Sequence, residues 1–157
     1  MELTALLEKN LDEIVEKSCR QICEVKLKGY TKARSTITKQ KLANLYKKLI
    51  ECVKNKELIP MLAYTEKIAR DRFNSGYDLY EVQTAINSLE ELIWQKIFKH
   101  TKPQKLAESL SLVSSILGAG KDNLARTYVS LASKTKASAV NIQNLLHGSE
   151  SIADVNE

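Results

Sequence analysis

The chain has 157 residues, of which 43% are hydrophobic, and a formal net charge of +5. This length suits one domain that buries about two thirds of its unfolded surface, so a second full domain is not expected. No apolar run reaches the roughly 18 residues that a membrane span needs, and the acidic N-terminus is unlike a secretory signal. With three cysteines, an odd number, the sequence predicts a cytoplasmic protein with reduced thiols.

Two helices are predicted in the first third of the chain. Apolar residues recur every three or four positions from Leu3 to about Lys26, which indicates one buried helical face. A basic connection over residues 27–36 contains Gly29, and a second helix is predicted from about Thr38 to Asn55.

A helical hairpin is predicted next. Pro60 suits the first turn of a third helix, which should stop at Gly76. Asp78 and Glu81 have the spacing of a capping box and should open a fourth helix, which ends before Pro103.

The last helix is predicted to be the longest. Its apolar stripe keeps its phase from Pro103 to about Lys134, which implies one helix of about 48 Å. A weaker helical segment is predicted over 137–146, and a frayed polar tail over 148–157. The sequence therefore predicts a single all-α domain, residues 1–147, built as a bundle of four to five long helices. Because the excess length of the last helix must pack on something, we expect a homodimer.

A basic segment, residues 26–48, holds the excess positive charge. Its candidate partner-binding residues are Lys26, Lys28, Lys32, Arg34, Lys39 and Lys41. A run of charge on a helix is usually a solvated face. The functional alternative is a surface that binds nucleic acid or an acidic protein, although the segment contains no aromatic residues beyond Tyr30 and Tyr46 and no recognition motif.

Arg72 is the most informative charged residue, because helical spacing places it on the apolar face of the third helix. Its guanidinium needs a partner there. One interpretation is an ion pair with Asp78 or Glu81 that fixes the hairpin. The other is a site for an anionic or carboxylate ligand, held by Arg72 with Tyr77 or Trp94 as a wall.

No catalytic or cofactor-binding set is recognisable. Cys19 and Cys23 lie one turn apart, with Cys52 as a third thiol, but a structural zinc site needs four ligands, so core packing is favoured. His100 suits the negative end of a helix better than the axial position of a haem. We therefore expect a protein that is not an enzyme and holds neither metal nor cofactor.

The stretch from Ala69 to Val82, with its arginines, Gly76, Tyr77, Leu79 and Glu81, resembles the helical hairpin of the RsbRD-type N-terminal domain. This family, the RsbT co-antagonist proteins of stressosome-like signalling, contains helical sensor or scaffold domains, some of them globin-like without haem. The resemblance implies a bacterial domain that binds a protein partner or a small ligand and passes a signal through its last helix. The alternative function is the nucleic-acid or acidic-protein binding module of residues 26–48.

Overall fold

The structure, a computed structural model, describes residues 2–24 and 32–153, and the side chains of residues 2–22, 24 and 36–136. The described chain consists of helices with short connections and contains no strand, which confirms the predicted all-α bundle. Its five helices are α1 (Leu3–Glu24), α2 (Lys32–Asn55), α3 (Ile59–Asn74), α4 (Leu79–His100) and α5 (Pro103–Ala153).

The turn between α3 and α4 forms as its residues predict. Gly76 has a φ of 84°, a conformation that costs glycine little and side-chain-bearing residues more. The Asp78 carboxylate then accepts a hydrogen bond from the backbone N–H of Glu81 at 2.9 Å, which caps the first turn of α4. The half of the predicted capping box that Asp78 supplies is therefore present.

Two helix boundaries differ from the prediction. α2 begins at Lys32, about six residues early, because residues 32–37 contain neither Gly nor Pro and nothing there stops a helix. α5 continues without a break to Ala153, so residues 148–153 are helical where a frayed tail was predicted. Residues 154–157 lie outside the described chain.

The core lies between all five helices, and α2 contacts both the α1–α4 pair and the α3–α5 pair. α1 packs mainly against α4 and α2, whereas α3 packs mainly against α5 and α2. Tyr46 of α2 is fully buried at the centre, and its hydroxyl donates to the carbonyl oxygen of Leu7 at 2.9 Å. Burial raises the pKa of Tyr46, so its phenol stays a neutral donor.

α3 and α5 approach each other closely at Gly120. A methyl group built on this glycine would lie 2.9 Å from Cγ of Met61 and 3.1 Å from Cγ2 of Thr65. Nearby, the side-chain amide of Asn123 donates to the carbonyl oxygen of Leu62 at 2.8 Å. A small residue at position 120 therefore sets how close the two helices lie.

Ion pairs join the helices at the surface. Glu13 of α1 accepts hydrogen bonds from Lys17 and from Lys96 of α4, and these bonds lower the pKa of Glu13 to about 2. Lys121 of α5 pairs with Glu90 of α4 at 2.6 Å.

α5 is much longer than the bundle. Its 51 residues span about 76 Å, against about 33 Å for the 22 residues of α1. Tyr128 is its last buried side chain in the described part, and from Val129 to Lys136 only Leu131 is partly covered. The helix therefore leaves the bundle near Tyr128. None of the described helices has an apolar stretch that could cross a lipid bilayer.

Candidate functional site

Arg72 lies in the last turn of α3 and faces the core, as its helical spacing predicts. The residue is 8% exposed, an unusual burial for an arginine. A guanidinium stays protonated in proteins, so its positive charge must be compensated inside the bundle. The surroundings of Arg72 are therefore the candidate site.

Tyr77 is brought against Arg72 by the turn at Gly76. Cζ of Arg72 lies 4.6 Å from the centroid of the Tyr77 ring, within the range of a cation–π interaction. The backbone N–H of Tyr77 also donates to the carbonyl oxygen of Arg72 at 3.0 Å. Two of the three predicted ligand-binding residues therefore lie together.

Trp94, the third predicted residue, lies elsewhere. It is 43% exposed on the outward side of α4, roughly 24 Å along the helix from Asp78. It does not line the cavity at Arg72. The buried face of α4 is formed by residues such as Leu89 and Ile93. Trp94 lies outside this face and therefore points away from the core.

The acids near Arg72 have different surroundings. The Asp78 carboxylate, one of the two predicted ionic partners, caps α4. Glu81, the other, is 7% exposed in the first turn of α4. The adjacent Asp71 pairs with Lys41 of α2, and this hydrogen bond lowers the pKa of Asp71. Two of the three acids are thus engaged by groups other than Arg72.

A small cavity of about 30 Å³ lies beside Arg72, between α2, α3 and α4. Its polar lining consists of Arg72, Lys41 and Thr38, and the rest is aliphatic. Thr38 is 5% exposed, and sequence reasoning missed it. A hydroxyl one turn before a core leucine, Leu42, is a weak signal, since threonine also packs as a small apolar residue.

Tyr128 of α5 is a second residue that the sequence analysis missed. Its hydroxyl donates to the carbonyl oxygen of Tyr77 at 3.2 Å, and its ring meets Phe73 edge-on with centroids 5.7 Å apart. The signal was present, because Tyr128 continues the apolar stripe of α5 between Leu124 and Leu131. Its contacts connect the Arg72–Tyr77 pair to α5.

The basic segment is only partly described. Lys26 and Lys28 lie outside the described residues, and the side chains of Lys32 and Arg34 do as well. Lys39 pairs with Glu16 of α1, and the hydrogen bond between them raises the pKa of Lys39.

The described part of the basic segment is largely paired within the bundle. Lys41 bonds to Asp71, and Lys48 pairs with Glu51 at 3.0 Å. Glu16 of α1, Asp71 of α3 and Glu51, which follows the segment within α2, therefore pair with a run of sequence that itself contains no acid.

The buried thiols pack in the core. Cys19 and Cys52 are both buried, while the side chain of Cys23 lies outside the described set. Burial raises the pKa of the Cys52 thiol, which keeps it protonated and unreactive. Within the described residues, no group of three or more His, Cys, Asp and Glu side chains could hold a metal ion.

An open groove of about 500 Å³ lies between the α2–α3 connection and α5. Its walls include Cys52, Leu58, Leu112 and Ile116, with Glu108 at its edge. The groove is also lined by Lys56, Glu57, Ser111 and Ser115, so five of its nine lining residues are charged or carry a hydroxyl group. That the chain is not an enzyme stays a prediction.

No family model, curated protein or solved structure matches this chain.

Proposed function

We propose that this chain is a non-catalytic signalling domain, a sensor or scaffold of the RsbRD type, that relays a signal through α5 as a homodimer in the bacterial cytoplasm. The observation that carries the proposal is the bond from Tyr128 to Tyr77, because it joins the buried Arg72 to the helix that leaves the bundle.

The connection has three steps, each a direct contact. The guanidinium of Arg72 stacks on Tyr77, the carbonyl oxygen of Tyr77 accepts from Tyr128, and the ring of Tyr128 also meets Phe73. A ligand or partner that shifts Arg72 would therefore move the α3–α4 turn against α5. Because interiors are densely packed, such a shift changes the direction of the emerging helix instead of being absorbed locally.

The distal half of α5 supports a dimer. Residues 129–153 extend the helix by roughly 37 Å beyond the last buried side chain in the described part of α5. In the sequence, residues spaced alternately by four and three form one stripe along this half: Leu131, Thr135, Ser138, Ile142 and Leu145.

The spacing of this stripe is typical of a coiled-coil seam, whose natural partner is the same helix of a second copy. Three of its five positions are apolar, and the exceptions are the small polar residues Thr135 and Ser138. Polar residues within a seam lower its stability but help to fix its register. The apolar pair Ile142 and Leu145 should therefore contribute most to the distal contact.

Sedimentation of the whole protein tests the dimer. We expect a dimer at micromolar concentration that the double substitution Ile142→Glu/Leu145→Glu converts into a monomer, because two carboxylates in an apolar seam cannot be buried. The matched control Asn141→Glu/Asn144→Glu changes charge equally off the seam and should stay dimeric. A wild-type monomer, or equal behaviour of the two double variants, would contradict the dimer.

Hydrogen exchange tests the relay. Arg72→Gln should speed amide exchange over residues 124–136 of α5, since the stack on Tyr77 is lost. Arg70→Gln is the control, because Arg70 is exposed and pairs only with Glu66 among the described residues. Amide exchange of the two variants is compared at a temperature below the thermal unfolding transition of each. Equal exchange over residues 124–136 in the two variants would argue against coupling between Arg72 and α5.

The alternative, a binding module for nucleic acid or an acidic protein, has less support. Lys39 and Lys41 are paired with carboxylates, so a polyanion would first have to displace Glu16 and Asp71. Retention on heparin above physiological salt would favour this alternative over the relay.

A further inference from the structure

The cavity beside Arg72 contains two polar atoms that lack partners. In the part of the chain that the structure describes, neither Nη2 of Arg72 nor Oγ1 of Thr38 has a hydrogen-bond partner, although both atoms are buried. The two residues are 8% and 5% exposed, and both line the same space. A buried donor without a partner destabilises the fold by about 1–3 kcal/mol. Two such atoms at one cavity indicate an occupant.

The charge that lines the cavity favours an anion. The lining includes two cations, Arg72 and Lys41, six apolar side chains and no carboxylate. Lys41 is compensated by Asp71, which lies outside the cavity, and the buried Glu81 does not line it either. The stack on Tyr77 covers one face of the guanidinium and accepts no in-plane N–H bond. In aliphatic surroundings a positively charged donor interacts more strongly with an ion than with a neutral molecule.

The size of the cavity limits the occupant to a very small species. A volume of about 30 Å³ exceeds the roughly 10–15 Å³ that one water molecule requires. It leaves room for a monatomic anion such as chloride or bromide. A sulfate ion or a carboxylate-bearing metabolite is larger and fits this space less well than a halide ion does.

We infer that this cavity binds one halide-sized anion, with chloride the common ion of that size, held by Nη2 of Arg72 and the hydroxyl of Thr38. Both atoms donate to the anion, and the charged guanidinium makes its hydrogen bond the stronger of the two. This site does not depend on dimer formation or on the relay through α5. A negative result for the anion site can therefore be distinguished from a negative result for the dimer or for the relay.

Thermal unfolding of the full chain, at constant sodium concentration and ionic strength, tests the inference. Replacing gluconate by bromide or chloride should raise Tm with a saturable dependence, because a ligand that binds only the folded state stabilises it. Sulfate acts on proteins generally through exclusion from their surface and should shift every variant alike.

Thr38→Val is the decisive variant, since it preserves shape and removes one donor. In gluconate it should be at least as stable as the wild type, because an unpaired buried hydroxyl is replaced by a methyl group. In bromide its apparent Kd should rise by about tenfold, the loss expected for a hydrogen bond to a charged group. Arg72→Gln should abolish the halide response, and the Thr38 variant keeps the inference testable if Arg72→Gln does not fold.

Thr101→Val is the matched control. The hydroxyl of Thr101 is also buried and without a hydrogen-bond partner in the described chain, but it does not line the cavity at Arg72. This variant should keep the full bromide response. Broadening of the chloride NMR signal by the wild type and Thr101→Val, weaker broadening by Thr38→Val at the same chloride concentration, and none by Arg72→Gln would show the bound ion directly. Equal halide responses in both threonine variants, or no halide response in the wild type, would overturn the inference. Water would then be the occupant of the cavity.

Discussion

Gly120→Ala should reveal how tightly α3 and α5 pack. The new methyl group would lie 2.9 Å from Cγ and 3.0 Å from Sδ of the fully buried Met61. Cγ2 of Thr65 also lies 3.1 Å from the new methyl group, so we expect an overpacking cost of about 1–3 kcal/mol. Against this, alanine in a helix is favoured over glycine by about 1 kcal/mol. The net change should be a destabilisation of about 0–2 kcal/mol.

Gly118→Ala separates the two contributions. A methyl group at position 118 meets no atom within 4 Å, so only the helix propensity changes and the variant should gain about 1 kcal/mol. Urea unfolding followed by circular dichroism should therefore separate the two variants by about 1–3 kcal/mol. Each kcal/mol corresponds to roughly 2–4 °C in Tm for a chain of this size. If Gly120→Ala were as stable as Gly118→Ala, the close approach of α3 and α5 would be refuted.

A double-mutant cycle identifies the clashing side chain. Met61→Ala alone leaves a cavity and should destabilise by about 2–5 kcal/mol. Combined with Gly120→Ala, the loss should be smaller than the sum of the two single effects, because the smaller side chain leaves room for the new methyl group. Strict additivity would show that Met61 is not the obstacle.

Three further substitutions test other interactions. Asp78→Ala removes the cap from the N–H of Glu81 and should destabilise by about 1 kcal/mol in urea unfolding, whereas Asp78→Asn should lose much less. Tyr46→Phe removes a buried hydrogen bond and should lower the free energy of unfolding by about 1 kcal/mol, without changing how steeply that free energy falls with urea concentration. For Glu13, hydrogen bonds led by that from Lys17 lower the folded pKa to about 2 from an ordinary 4.5. The carboxylate therefore stabilises the fold above about pH 4.5, and this contribution disappears as the pH falls towards 2. The stability difference between wild type and Glu13→Gln should shrink over that interval, and a constant difference would contradict the interaction.

The spacing of apolar residues and the positions of Gly, Pro and Asp were enough to predict the helical class and most helix boundaries. Residue spacing is a local property, so the stripe of α5 and the capping pair Asp78 and Glu81 could be recognised without any partner helix. It also placed Arg72 on the apolar face of α3, because the direction of a side chain follows from helical phase alone.

The side-chain contacts between helices could not be predicted in this way. Thr38 and Arg72 line the same cavity although they are 34 residues apart in sequence, and Tyr128 contacts Tyr77 across 51 residues. Neither contact can be predicted from the spacing of residues along one helix. The basic segment shows the same limit, since Lys39 is neutralised by Glu16 of another helix. Helical phase fixes which way a residue points, whereas its partner depends on how whole helices pack, and that depends on the shapes of many side chains together.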